Sequence, residues 1–250
     1  MHDPVIIARI IAAINPQPDE HLVEIGPGRG ALTRSLAASG ARLTLIELDR
    51  TLAARLGREP DLERAKILSA DALAIDYAEL AQAQPIRIVG NLPYNISTPL
   101  LFRFLQASAR LVDLHLMLQR EVVERMAASP GTRSYGRLTI MLAARCQTSK
   151  LFTIGPGAFQ PPPKVDSSVV RLVPHPTPPF DPGDWGLFDQ LVRRGFSARR
   201  KMLRSAFRGL LDPSLIKSAG LDPRARPDTL EPADYATLAR ILNVARSATG

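Results

Sequence analysis

At 250 residues, with 32 Lys and Arg against 24 Asp and Glu, the chain is long enough for a sizeable core plus a small second domain and carries a net charge of +8. Its single cysteine, Cys146, excludes an intramolecular disulfide and a cysteine-built zinc cluster, and His2, His21, His115 and His175 show no metal-ligand spacing, so no metal site is expected. With no basic-then-apolar leader and no apolar run long enough for a bilayer, the expectation is a cytoplasmic protein without membrane attachment.

Apolar periodicity predicts a helix over residues 5–14 and a short buried strand over His21-Leu22-Val23-Glu24-Ile25. The loop Gly26-Pro27-Gly28-Arg29-Gly30 follows, then a helix over 32–38, a strand over 42–46 running into Glu47, and a helix over 51–56. A strand near 66–68 leads to Asp71, and a strand over 86–89 leads to Asn91-Leu92-Pro93-Tyr94. The next helix begins around Ser97-Thr98-Pro99, where a hydroxyl can cap and proline suits the first turn. A strand over 111–118, helices over 121–127 and 138–144, and a hairpin-like pair of 148–153 with 168–173 complete the pattern. This alternation predicts an α/β fold with a mostly parallel, doubly wound sheet over residues 1–180. The proline-rich run after Pro174 marks a linker to a small all-α C-terminal domain, residues 181–250, with helices over 187–196, 199–208 and 235–244. From Leu187 onward twelve Lys and Arg stand against six Asp and Glu, a net of +6, which leaves +2 for the rest. A charge run of this kind is most often a solvated face, but it is also the footprint of phosphate contacts.

The strand ends carry the chemistry. Pro93 has no N–H and biases Leu92 toward an extended conformation, which can aim the Leu92 carbonyl outward beside the Asn91 amide oxygen. With Tyr94 offering a face to a flat ring, the tetrapeptide suits a nucleobase amine, although by itself it is equally a strand-to-loop turn. The glycine spacing, G-x-G-x-G, is one residue shorter than the dinucleotide fingerprint, and Glu24 closes the strand before it. A diphosphate disfavours that carboxylate, whereas a cationic sulfonium with an amino-acid moiety suits it, so S-adenosylmethionine is expected rather than NAD or FAD. Glu47 stands where a carboxylate can accept from both ribose hydroxyls, and Asp71 where it can accept from the adenine amine, with Ala72 leaving room for the ring.

Taken together, Glu24-Ile25-Gly26-Pro27-Gly28-Arg29-Gly30-Ala31-Leu32-Thr33, Glu47-Leu48-Asp49, Asp71-Ala72-Leu73, Asn91-Leu92-Pro93-Tyr94-Asn95-Ile96-Ser97, and Phe159 to Ser167 with its Pro161-Pro162-Pro163 resemble the ribosomal RNA adenine N6-dimethyltransferases. Phe196-Ser197-Ala198-Arg199-Arg200-Lys201-Met202-Leu203 extends the likeness into the C-terminal part, and the bacterial type acting on two adjacent adenines near the 3′ end of small-subunit rRNA is the nearest in pattern. The resemblance implies a Rossmann-like class I methyltransferase domain, with S-adenosylmethionine held by Glu24, Gly26, Gly28, Gly30, Glu47, Leu48, Asp71, Ala72 and Asn91. It implies that Asn91, Leu92, Pro93 and Tyr94 hold the target adenine while Phe159 covers its other face. The implied partner is small-subunit rRNA in an immature subunit, approached by a monomer. Arg199, Arg200, Lys201 and Arg204 are the expected RNA contacts, with helical spacing placing Arg200 and Arg204 on one face.

Members of that family carry a basic segment with a Gly-Gln-Asn/His-Phe-Leu motif before the residues matching Asp3-Pro4, where this chain has Met1-His2. Weakened cofactor and RNA binding is expected from that difference. Three alternatives stay open from the residues: a non-catalytic RNA-binding ribosome-assembly or transcription factor, a small-molecule methyltransferase, and a large-subunit rRNA adenine methylase, a group that shares the adenine motif but usually differs in the glycine loop.

Overall fold

Asp3 starts the first helix, α1 (Pro4–Ile14), by accepting from the Val5 and Ile6 amides, and Asn15 ends it in the left-handed region at φ 47°. The computed structural model describes residues 1–93 and 95–247; Tyr94 and residues 248–250 lie outside the described residues. Strands and helices then alternate through β1 (His21–Ile25), α2 (Thr33–Ala37), β2 (Arg42–Glu47), α3 (Arg50–Leu56), β3 (Lys66–Ser69), α4 (Tyr77–Leu80), β4 (Ile86–Asn91), α5 (Ser97–Gln106) and β5 (Leu111–Gln119). Helices α6 (Arg120–Met126) and α7 (Arg137–Ala143) precede the strands β6 (Cys146–Ile154) and β7 (Ser167–Pro174). The remainder is helical, with α8 (Trp185–Ser197), α9 (Leu203–Ala206), α10 (Pro213–Ser218) and α11 (Pro232–Ser247).

All seven strands form one sheet in the order β3-β2-β1-β4-β5-β7-β6. The first five run parallel and β7 is antiparallel to β5, as the doubly wound expectation with an added pair requires. Every residue of β1 is buried, which follows from its central place between β2 and β4. There Gly90 passes so close to β1 that a Cβ on it would lie 2.6 Å from the Ile25 carbonyl oxygen, so only glycine fits.

Strand register decides what shares a face. Leu22 pairs with Leu43 and Arg87, Glu24 with Leu45 and Val89, Val89 with His115, and Asn91 with Met117. Because side chains alternate with period two, Glu24, Glu47 and Asn91 emerge on one face at the carboxyl end of the parallel strands, while Arg87 and Asp113 emerge on the same face at the amino end. Between them lies an apolar cluster built from Leu22, Leu43, Leu45, Val89 and Met117, into which Ile10 and Ile14 of α1 pack.

The chain separates into two compact units, one of residues 1–123 with 147–174 and the other of 124–146 with 175–250. This division differs from the linear boundary expected at residue 180, because residues 124–146 group with the C-terminal helices. The Tyr135 hydroxyl donates to the Leu230 carbonyl at 2.7 Å, Arg137 pairs with Asp189 at 2.8 Å, and the Gly131 amide donates to the Asp228 carbonyl at 2.7 Å. None of these long-range bonds leaves a trace in local periodicity.

The expected helix over 199–208 does not form. Helix α8 ends at Ser197, residues 198–200 are a turn, and only Leu203–Ala206 is helical. The cause is backbone bonding to a distant segment: the Leu203 amide donates to the Ala225 carbonyl at 2.8 Å and the Arg204 amide to the Pro223 carbonyl at 3.0 Å. The short helices α4 and α10 were also not expected. Among the described residues, no helix is long and apolar enough to cross a membrane.

Candidate active site

The glycine loop between β1 and α2 is held in backbone conformations that other residues resist. Gly26, Gly28 and Gly30 all have positive φ, at 64°, 59° and 79°. The alternation turns the chain tightly enough for the Gly28 amide to donate to Glu47 Oε2 at 3.0 Å. The other Glu47 oxygen accepts from the Asp49 amide, also at 3.0 Å, so this buried carboxylate is fixed by two backbone donors before any ligand arrives. The next strand end is tied in as well, since the Ala70 amide donates to the Glu47 carbonyl at 3.1 Å. Gly26 lies against Asn91, where a Cβ would stand 4.0 Å from the Asn91 carbonyl oxygen.

Glu24 is different from Glu47. Only 3 % exposed, it has one carboxyl oxygen, Oε2, with no hydrogen-bond partner among the described residues. Burial pushes its carboxyl up to about 7, with the Thr33 hydroxyl acting against the rise and the Glu47 carboxylate adding to it. An orphaned acidic oxygen at a strand end fits the ammonium or sulfonium of S-adenosylmethionine, which would ionise the carboxyl by supplying the missing positive charge. Leu48, exposed at the end of β2, and Ala72, buried near the end of β3, offer apolar surface for an adenine ring. Asp71 is exposed, and one of its carboxyl oxygens is engaged locally, accepting from the Leu73 amide at 2.8 Å.

At the end of β4, Asn91 is half-buried, the Leu92 amide donates to the Met117 carbonyl at 3.1 Å, and Pro93 is exposed. The bond on its amide side anchors Leu92, whose side chain is buried. Tyr94 lies outside the described residues. Phe159 follows a 3-10 turn at Pro156–Ala158, as its loop setting suggests, yet its side chain is only 8 % exposed and joins the apolar cluster with Met117, Ile154 and Val169. The loop placement agrees with the sequence, but the ring is packed as a core aromatic and does not stand free.

In the C-terminal unit the four expected RNA contacts separate into two kinds. Arg199 spends its guanidinium internally: Nε donates to Asp228 Oδ2 at 3.0 Å, and the two terminal nitrogens to the Arg133 and Thr132 carbonyls at 2.7 Å each. As a free phosphate ligand it is therefore corrected to a tie within its own unit. Arg200, Lys201 and Arg204 are exposed, though as parts of a turn and a short helix they do not share a helical face. Arg133 joins Arg200 and Lys201 around a hollow of about 650 Å³, and Arg193, Arg194 and Arg208 line another of about 470 Å³. Arg133 was missed because it belongs to the segment 124–146, and nothing in its local sequence announces that grouping.

Among the described residues, no group of three or more His, Cys, Asp or Glu is arranged to hold a metal ion.

The sequence profile of the ribosomal RNA adenine dimethylase family matches residues 1–244. The ribosomal RNA small subunit methyltransferase A of Pseudomonas putida is 49 % identical over 241 residues, spanning 96 % of this chain and 90 % of that protein. Among solved structures, a dimethyladenosine transferase from Plasmodium falciparum superposes with a TM-score of 0.83 at 25 % identity, covering 98 % of this chain and 97 % of the other. The 23S rRNA methyltransferase ErmE superposes with a TM-score of 0.71 at 25 % identity, covering 97 % and 99 %.

Proposed function

The chain belongs to the ribosomal RNA adenine dimethylase family, and from that premise we propose that it transfers methyl groups from S-adenosylmethionine to the N6 amines of two adjacent adenines near the 3′ end of small-subunit rRNA. The observation that carries this reading is the convergence of Glu24, Glu47 and Asn91 on one face at the carboxyl end of three adjacent parallel strands, the position where open α/β sheets bind ligands. Relatives that are named as small-subunit methyltransferases match nearly end to end, which favours this substrate over large-subunit rRNA.

S-adenosylmethionine, when bound, supplies an electrophilic methyl group on a sulfonium. Glu24 would hold its positive charge, Glu47 would accept from the ribose hydroxyls, and Asp71, Leu48 and Ala72 would receive the adenine ring. The substrate amine needs a different kind of help, because its lone pair is delocalised into its own ring. Accepting both N6 protons, at the Asn91 side-chain oxygen and the Leu92 carbonyl, favours a tetrahedral nitrogen whose lone pair points at the methyl. No side chain need act as general base, since the N6 cation formed on attack is acidic enough to lose its proton to water or to the Leu92 carbonyl. Holding nucleophile and methyl in line supplies most of the rate. Tyr94 stacks on the extruded base. Docking of the immature subunit falls to Arg200, Lys201, Arg204 and Arg133, with a monomer acting in the cytoplasm.

The test is methyl transfer from labelled cofactor to isolated small and large subunits, with Asn91→Ala beside the unaltered chain. Transfer to small subunits, lowered by on the order of a hundredfold in Asn91→Ala with cofactor affinity largely retained, is the expected result for removal of a transition-state hydrogen bond. Equal losses of rate and affinity would remove Asn91 from the chemistry, and transfer to large subunits alone would replace the substrate.

A further inference from the structure

Helix α3 leaves the cofactor end of the sheet, and its outer surface is more basic than the sequence count suggests. Beside it lies an open groove of about 580 Å³ whose charged lining is Arg50, Arg55, Arg58 and Glu59. Glu59 is the one acid of that lining, and its carboxylate is shared: Arg34 approaches it at 3.2 Å and Arg55 at 3.8 Å. Among the described residues, no carboxylate lies within ion-pairing distance of Arg50 or Arg58, and both are exposed. A neighbouring hollow of about 530 Å³ makes a useful contrast, because there Arg42 and Arg64 are balanced by Asp61 and Glu63. The two hollows are similar in size, but the first has a net positive lining and the second a balanced one.

We infer that the groove beside α3 binds backbone phosphates of the RNA substrate, placing a second RNA-binding surface on the catalytic unit itself. The inference rests on the RNA-methylating reading above. Guanidinium groups match phosphate oxygens bidentately and stay charged at any physiological pH, and Thr51 at the groove edge adds a hydroxyl donor. Arg50 follows directly on Asp49, whose amide holds Glu47, so a strand seated here runs past the ribose-binding edge of the site. Backbone phosphates held at α3 leave the target base less rotational freedom, which lowers KM and restrains the base before reaction.

The experiment uses the full chain with Arg50→Gln and Arg58→Gln combined, and small ribosomal subunits as the probe, with binding measured across a salt series. The log–log slope is expected to become shallower by about 1.4 to 1.8, at roughly 0.7 to 0.9 for each phosphate that is no longer neutralised, while melting temperature and S-adenosylmethionine affinity stay where they were. Arg42→Gln with Arg64→Gln, from the balanced hollow, serves as the control and should leave the slope in place. An unchanged slope in the first variant overturns the inference, and so does an equal change in the control. Methyl transfer by the unaltered chain is measured alongside: no transfer with a shallower slope in the first variant defeats the proposed reaction and keeps the groove, whereas transfer with an unchanged slope does the reverse.

Discussion

Two buried carboxylates on the same face of the same sheet have opposite surroundings. At the amino end of the strands, Asp113 is 1 % exposed and saturated: Arg87 donates to both its oxygens at 2.8 and 3.1 Å, and Arg171 donates twice to Oδ2 at 3.1 and 2.9 Å. Arg87 is itself fully used, reaching Glu20 and the Ile14 carbonyl at 2.6 Å each. Burial alone would raise the Asp113 carboxyl, but His115, 3.6 Å away, and the Arg87 guanidinium override it and hold the group well below the usual carboxylate range. At the carboxyl end, Glu24 is equally buried and retains an unpartnered oxygen, and its carboxyl is pushed the other way. The fold completes one buried charge and leaves the other incomplete, the contrast on which the proposed division between a supporting end and a ligand-receiving end rests.

Removing Asp113 should have the largest effect. Asp113→Ala leaves the buried Arg87 guanidinium at the α1 end of the core without its main carboxylate, and is expected to cost about 3–5 kcal/mol of stability in denaturant unfolding. Cofactor affinity per folded molecule should barely change, and a selective loss of affinity at full stability would erase the contrast. Glu24→Gln should do the opposite. Its folded carboxyl sits near 7, above the usual 4.5, so between those values the native state holds a proton that the unfolded chain has released, and stability in the unaltered protein falls as pH rises across that window. The total change is on the order of 3 kcal/mol, and melts of Glu24→Gln should lose that slope. Cofactor affinity in the unaltered chain should rise toward pH 7 with proton release, detectable by calorimetry in buffers of different ionisation enthalpy, and the glutamine variant should bind weakly at every pH. Intermediate behaviour is expected at Glu47, which is buried but already holds two amides. Glu47→Ala should weaken cofactor binding by roughly 1–3 kcal/mol and stability by about 1, and unchanged affinity in titration calorimetry would take Glu47 out of the pocket.

The placement of the glycine loop, Glu24 and Glu47 at adjacent strand ends was legible in the sequence because it is written locally. The glycine spacing, Glu24 at a strand end and Glu47 at the next are each fixed by their own strand or loop, and the parallel order then brings them together. What was not legible depends on distant partners. Arg199 has the look of a free cation in a basic helix, but Asp228 and the carbonyls of residues 132 and 133 occupy it. Phe159 sits in the expected loop, yet its ring is buried in the apolar cluster that also takes in Ile154 of β6 and Val169 of β7, an association no local pattern announces. The saturated network around Asp113 was missed for the same reason, since Arg87, Asp113 and Arg171 fall in three separate strands with no shared motif.

The interrupted path of the chain has a consequence for how the molecule is made. Ribosomal synthesis delivers residues 124–146 before β6 and β7, but their partners at Asp189, Asp228 and Leu230 emerge last. Until residue 174 appears, β5 lacks its β7 neighbour, and until the final helices appear, the apolar side chains of α7 at Leu138, Ile140, Met141 and Leu142 have nowhere to go. No single cut therefore releases either unit intact: a fragment stopping at residue 174 would carry an orphaned, sticky helix, and one starting at residue 175 would lack it. A soluble catalytic fragment requires residues 124–146 to be replaced by a short polar connection.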